Sequence, residues 1–254
     1  MSSPMIAVRL RSADASAFGA LLQASPAPPP GAPTPVALPS RSGQFAVTLR
    51  GVLTPAECRA VVEATERRGY GAALLNVGGG REVYSPDHRD SARVIVDSPE
   101  FADALFARVA HALPPTLESG TRGHGNGGGG AVWRIVGLNE RLRFLRYDAG
   151  QKFGAHYDGA FERGPESGAL AGNRTFVTLL LYLNEGYEGA FTTFCDAGDG
   201  GGGGGGGAPE RALAVAPAEG LVLMHDHKIL HEVPPLVAGR KYVLRTDVLY
   251  ARES

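Results

Sequence analysis

The sequence predicts an α+β fold in which two N-terminal helices support a β-rich second half rolled into a sandwich or barrel. Three observations lead there. Two segments before residue 118 carry paired start and stop signals for helices. Several short segments after residue 131 are rich in β-branched and aromatic residues, and they follow one another without an intervening helix. A chain of 254 residues with 43% hydrophobic content has the material for one well-packed domain of this kind.

In chain order, residues 1–25 hold Ala, Ser and Arg with Asp14 as the single acid, a composition mildly similar to an organelle transit peptide but read first as a disordered tail. ASPAPPPGAPTPVALPS (24–40) reads as a proline-rich linker. Residues 1–42 are therefore expected as a disordered, Pro-rich tail. Residues 43–254 are expected as a single domain, with helical support over 43–118 and a β core over 131–254.

LTPAECRAVVEATERRGY (53–70) predicts a helix. Thr54 caps it, Pro55 suits its first position, Glu57 completes a capping box and Gly69 stops it. DSPEFADALFARVAHALP (97–114) repeats the pattern, with Ser98 and Pro99 opening and Pro114 closing. Phe101, Leu105 and Val109 lie on one stripe that Leu113 continues.

The predicted strands are VWRIVGL (132–138), RLRFLRY (141–147), QKFGAHY (151–157), TFVTLLLYL (175–183), RALAVAP (211–217), GLVLMH (220–225) and KYVLRTDVLY (241–250). Turn signals such as Asp148-Ala149-Gly150 and Asn184-Glu185-Gly186 separate them. The glycine tracts 127–130 and 200–207 read as loop insertions, since lengthening an exposed loop costs little. Neither has the Lys-Ser/Thr ending of a phosphate-cradling loop.

A net charge of −1 leaves no electrostatic footprint for nucleic acid or an anionic membrane, so neither partner is expected. Even TFVTLLLYL is too short to span a bilayer. Two cysteines, Cys58 and Cys195, fit a reducing compartment better than a disulfide scaffold. A soluble, cytoplasmic protein is the expectation.

The chemistry is carried by FGAHYDGAF (153–161). In an extended chain His156 and Asp158 point to the same face, which puts an imidazole beside a carboxylate. MHDHKILHEVPPLVAGRKY (224–242) offers a third ligand among His225, His227 and His231. Two imidazoles and one carboxylate on one face of an octahedron form the arrangement of non-haem Fe(II) oxygenases. Ten residues past His231 stands Lys241, sharing a strand face with Val243 and Arg245 while Arg240 has the opposite parity. A cation facing a metal pocket invites an anionic small molecule.

At this point the sequence resembles the prolyl 4-hydroxylase-like branch of the Fe(II)/2-oxoglutarate dioxygenases. The likeness is carried by NERLRFLRYDAGQKFGAHYDG (139–159), TLLLYLNEGYEGAFTTF (178–194) and LHEVPPLVAGRKYVLRTDVLY (230–250), and more loosely by the helical part from Val52. It implies a double-stranded β-helix (jelly-roll), iron held by His156, Asp158 and His231, and Lys241 paired with the distal carboxylate of 2-oxoglutarate. It further implies a cosubstrate contact from Tyr147, O2 as oxidant, succinate and CO2 as products, and ascorbate as reductant. Arg245 is a second candidate cosubstrate contact, or a structural partner of Asp247. The substrate would be a peptide, with a prolyl residue as the site, or a small molecule. Gly189-Ala190-Phe191 departs from the paired glycines often found there. GAFERGPESGALAGN (159–173) is expected as a substrate-facing lid. Two other classes fit the same residues: a cupin-like β-barrel metalloenzyme that does not use 2-oxoglutarate, and an inactive barrel acting as a binding module. Lys241 separates the first reading from the second.

Overall fold

Alternation along the strands sorts this molecule into layers. The computed structural model describes residues 18–22, 31–36, 44–77, 81–118, 130–196 and 210–253. The helices are α1 (Pro55–Arg68) and α2 (Pro99–Val109). The principal strands are β1 (Ala46–Leu49), β2 (Arg89–Asp90), β3 (Ala92–Asp97), β4 (Val132–Leu138), β5 (Arg141–Tyr147) and β6 (Lys152–His156). After them come β7 (Arg174–Tyr182), β8 (Thr192–Asp196), β9 (Glu210–Val215), β10 (Val222–Asp226), β11 (His231–Val233) and β12 (Lys241–Arg252). All pair antiparallel. The larger sheet runs β1–β10–β7–β12–β5–β3, extended at its edges by Thr34–Pro35 and Gly71–Ala72, with β4 also on β12. The smaller runs β9–β8–β11–β6–β2.

Because successive strand residues face opposite sides, the central strands of the larger sheet divide their side chains between two interiors. Leu142 and Phe144 on β5, Val177, Leu179 and Leu181 on β7, and Leu244 on β12 join one cluster with the helices. Leu145 and Tyr147, Leu180 and Tyr182, and Val243 join another with Phe194 and Val233 of the smaller sheet. Lys241, Arg245 and Asp247 carry the parity of Val243, so they face the gap between the sheets. The site is therefore a polar island in the second interior.

The capping signals are realised. Thr54 Oγ1 accepts from the Glu57 amide at 3.2 Å and Glu57 Oε2 accepts from the Thr54 amide at 2.8 Å; such a cap is worth about 1 kcal/mol. Glu57 is also buried against Arg108 of α2, with Nη2 donating to Oε1 at 2.8 Å, so the two helices are locked to each other by charge as well as by apolar packing. Among the described residues no helix is long and apolar enough to cross a membrane.

Two regions differ from expectation. The segment 43–118, expected as helical support, also supplies β1, β2 and β3 to the sheets; ARVIVD alternates, and its pairing with β5 in unbroken register places it as a strand. Within the expected tail, residues 18–22 are helical, and Phe18 packs against Phe101 and Phe144 with ring centroids 5.3 and 5.1 Å apart. Two apolar side chains, Phe18 and Leu22, complete the core under α2. The rest of the tail beyond residues 18–22 and 31–36, and the glycine tracts apart from Gly130, lie outside the described residues.

Candidate metal centre

β6 and β11 bring the candidate ligands together. They pair antiparallel with His156 opposite His231, so two imidazoles separated by 75 positions in the chain become neighbours, with ring centroids 4.3 Å apart. Asp158 lies just past the end of β6. Its amide donates to the His227 carbonyl at 3.1 Å, which keeps the chain extended enough to turn Tyr157 outward and the Asp158 carboxylate inward. One donor atom each from His156, Asp158 and His231 lie within 4.8 Å of one another. His156 Nε2 is 3.8 Å from Asp158 Oδ1, and His231 Nε2 is 3.7 Å from Oδ2.

The surroundings prepare these atoms for a cation. Nδ1 of His156 lies 2.8 Å from the Gly154 carbonyl and Nδ1 of His231 lies 2.9 Å from the Ile229 carbonyl. A carbonyl only accepts, so each Nδ1 carries the hydrogen and each Nε2 offers its lone pair inward. Burial, then the neighbouring His231, pushes the His156 imidazole down to about 3, so it is neutral. Burial works to raise the Asp158 carboxyl, but Arg245 and the imidazoles outweigh it and hold the group well below the usual range. Thr178 Oγ1 donates to Asp158 Oδ2 at 2.6 Å. Phe153 stacks on His156 at 3.7 Å and 16°, and the Arg89 guanidinium covers the other side of Phe153 at 4.5 Å. A Cβ on Gly154 would come 2.8 Å from the His88 ring, so any larger residue there would push that ring aside.

A cavity of about 450 Å³, including its open mouth, extends from this cluster to Lys241 and is lined also by Tyr147, Arg89 and Arg245. Register places Tyr147 directly opposite Lys241 across β5 and β12. Lys241 is 1% exposed. Its Nζ donates to the Ala190 carbonyl at 2.7 Å and lies over the rings of Tyr147 and Tyr182 at 5.3 and 5.6 Å. Burial pushes its ammonium down to about 7. Ala190 itself has φ 51, a left-handed conformation that costs a non-glycine residue about 1 kcal/mol or more; preceding Gly189, at φ 80, would meet the Pro235 carbonyl at 2.6 Å if it carried a Cβ.

Of the three downstream histidines, His231 is the one gathered with His156 and Asp158. His225 lies beside it, with ring centroids 4.7 Å apart, and its Nδ1 faces the Asp226 carbonyl. His227 lies 3.5 Å from Asp247 instead. Arg245 is drawn to two carboxylates, Asp158 and Asp247, at 3.0 Å each. Arg240 is half-exposed and pairs with Asp148. Of the expected lid, Arg163 pairs with Glu140 and exchanges backbone bonds with Asn173 and Gly172, which fastens the loop at its base. Sequence reasoning missed Thr178, Phe153, Arg89 and the partnership of Asp247 with Asp158 through Arg245. Only the even parity of Thr178 with Leu180 and Tyr182 pointed toward the cavity.

The donor set fits a divalent metal. Two neutral nitrogens and one ionised carboxylate converge from one side, the pattern that leaves open positions on non-haem iron.

Residues 142–246 match the family described as the 2OG-Fe(II) oxygenase superfamily. Among solved structures, a prolyl hydroxylase from Trichoplax adhaerens in complex with a hypoxia inducible factor oxygen degradation domain peptide fragment is similar at 16% identity. The match covers 80% of this chain and 82% of that one with a TM-score of 0.52, a likeness of fold. A viral collagen prolyl hydroxylase from Paramecium Bursaria Chlorella virus-1 matches at 17% identity, 82% and 97% coverage and TM-score 0.47. A Pseudomonas putida prolyl-4-hydroxylase matches at 18% identity, 81% and 92% coverage and TM-score 0.47. No curated protein matches the sequence.

Proposed function

We propose that this chain belongs to the 2OG-Fe(II) oxygenase superfamily that residues 142–246 match, and that it hydroxylates a C–H bond of a peptide substrate, with a prolyl residue as the target. In this reading the facing sheets are a double-stranded β-helix, the single domain is residues 43–254, and His156, Asp158 and His231 hold ferrous iron. Iron, when bound, supplies O2 activation coupled to decarboxylation of 2-oxoglutarate, with succinate and CO2 as products.

The protein's own residues then have distinct tasks. Nδ1–H bonds to Gly154 and Ile229 orient the two imidazoles. Lys241 receives the distal carboxylate of 2-oxoglutarate, with the Tyr147 hydroxyl beside it. A buried ammonium with one carbonyl partner among the described residues gains a counter-charge on cosubstrate binding, so specificity for a dicarboxylic acid follows from its incompleteness. Phe153 and Val233 close the cavity wall against water. Arg245 serves Asp158 rather than the cosubstrate's distal end. Ascorbate as reductant and a cytoplasmic setting for the buried thiols of Cys58 and Cys195 belong to the same reading.

The observation that supports it most is the convergence of His156, Asp158 and His231 at one end of a cavity whose other wall carries Lys241. The prolyl assignment draws support from the likeness of fold to the Trichoplax adhaerens prolyl hydroxylase. Incubation with Fe(II), 2-oxoglutarate and proline-rich peptides, moved from anaerobic to aerobic conditions, tests it. Succinate release with a mass gain of one oxygen on the peptide is expected. Succinate without peptide oxidation would remove the prolyl assignment, and no succinate at all would favour a metal site that does not use 2-oxoglutarate.

A further inference from the structure

Arg245 is the cation in contact with the candidate ligand Asp158, and the way it is shared bears on how freely that carboxylate can bind metal. Its Nη2 donates to Asp247 Oδ1 at 3.0 Å and forms an ion pair with Asp158 Oδ1 at the same distance. Asp247 is 2% exposed. Its second oxygen accepts from Arg143 Nη1 at 3.3 Å, and Oδ1 lies 3.5 Å from His227 Nε2. The His227 carbonyl in turn accepts the Asp158 amide at 3.1 Å. These contacts form a closed ring that returns to Asp158 through both its side chain and its backbone.

A guanidinium paired with a single buried carboxylate makes a strong charge-assisted bond and competes with any metal for the same lone pairs. A second carboxylate at the same distance divides that attraction. We propose that Asp247 is a positioning residue for the metal centre: by taking half of Arg245, it leaves Asp158 oriented yet available to ligate the metal. The proposal rests on the reading of His156, Asp158 and His231 as the iron site. It assigns a role to a residue that does not line the cavity. The competing explanation is structural. Arg143 and Arg245 stand directly opposite each other across β5 and β12, and Asp247 would merely neutralise them.

Mn(II) titration of the metal-free protein by calorimetry, without 2-oxoglutarate, separates these explanations. Asp247→Asn leaves Arg245 to Asp158 alone, so Mn(II) affinity should fall about 10-fold or more. The double variant Arg245→Gln/Asp247→Asn removes the competitor as well and should recover to within about threefold of the parent. A purely structural Asp247 predicts lower melting temperature with unchanged metal affinity in the folded protein, and that result overturns the proposal. A double variant binding no more tightly than Asp247→Asn overturns it too. If Asp247→Asn does not fold, Arg245→Gln alone decides: affinity equal to or above the parent supports the proposal, and a tenfold loss contradicts it. His156→Ala in the same series keeps the two readings apart. Undiminished Mn(II) binding there refutes the iron site itself, whereas loss there with no effect of Asp247→Asn refutes only the role of Asp247.

Discussion

Arg108 and Lys241 are buried to a similar degree and are treated in opposite ways. Arg108 donates to both oxygens of Glu57 at 2.8 and 3.0 Å and to the carbonyls of Val52 and Leu22 at 3.0 Å each. Lys241 has the Ala190 carbonyl and two aromatic faces, and among the described residues no carboxylate pairs with it. The first cation ties α1, α2 and residue 22 into one support and asks for nothing further. The second sits at the floor of a cavity with its charge unbalanced. Completeness of pairing, rather than burial, separates scaffold from site in this protein.

The largest expected effect breaks the complete pair. Glu57→Ala strands Arg108 in the apolar interior, and chemical denaturation should show a loss of about 3–5 kcal/mol, with cosubstrate affinity of the folded protein unchanged. Lys241→Met should do the reverse. Stability should stay equal to the parent or rise, because an unpaired buried charge is removed. Titration of the Mn(II)-loaded protein should show 2-oxoglutarate binding weakened by about 2–5 kcal/mol. Equal stability losses in the two variants would erase the distinction.

Thr178→Val keeps the side-chain shape but removes the donor to Asp158 Oδ2. Metal affinity should fall by about 1.5–3 kcal/mol, the worth of a hydrogen bond to a charged group, with little change in the denaturation midpoint. A further effect is in pH. Lys241 titrates at about 7 when folded, below its ordinary 10.5. It is therefore charged below pH 7 in the free pocket and neutral above, and a bound dicarboxylate must restore its proton. Affinity for 2-oxoglutarate should fall by about tenfold per unit above pH 7, and a flat profile would argue against contact with Lys241. The same displacement means the unfolded chain holds more protons between about 7 and 10.5, so stability gained on raising the pH through that window should vanish in Lys241→Met.

Much of this was legible in the sequence. Val132–Leu138 and Arg141–Tyr147 are strands with the expected bounds, since the first alternates between one core and solvent and the second between two buried clusters. The same-face argument for His156 and Asp158 held even though β6 ends at His156, because the bond to His227 keeps the backbone extended. Other features had no local signal. β11 has three residues, too few for any period, and is defined by pairing with β6 and β8. Thr178 reads as one polar residue in an apolar run until pairing opposite Asp247 and the bond to Asp158 place it behind the candidate ligand. Phe18 belongs to a segment of tail-like composition, and its burial comes from a gap between α2 and β5 that no local pattern records.

The most direct test is the anomalous signal from crystals grown without oxygen in Fe(II) and 2-oxoglutarate. A single peak is expected within bonding distance of His156 Nε2, an Asp158 carboxylate oxygen and His231 Nε2, with the distal carboxylate of 2-oxoglutarate on Lys241 Nζ. A peak centred on His225 or His227, or a cosubstrate whose distal end lies away from Lys241, would contradict the account.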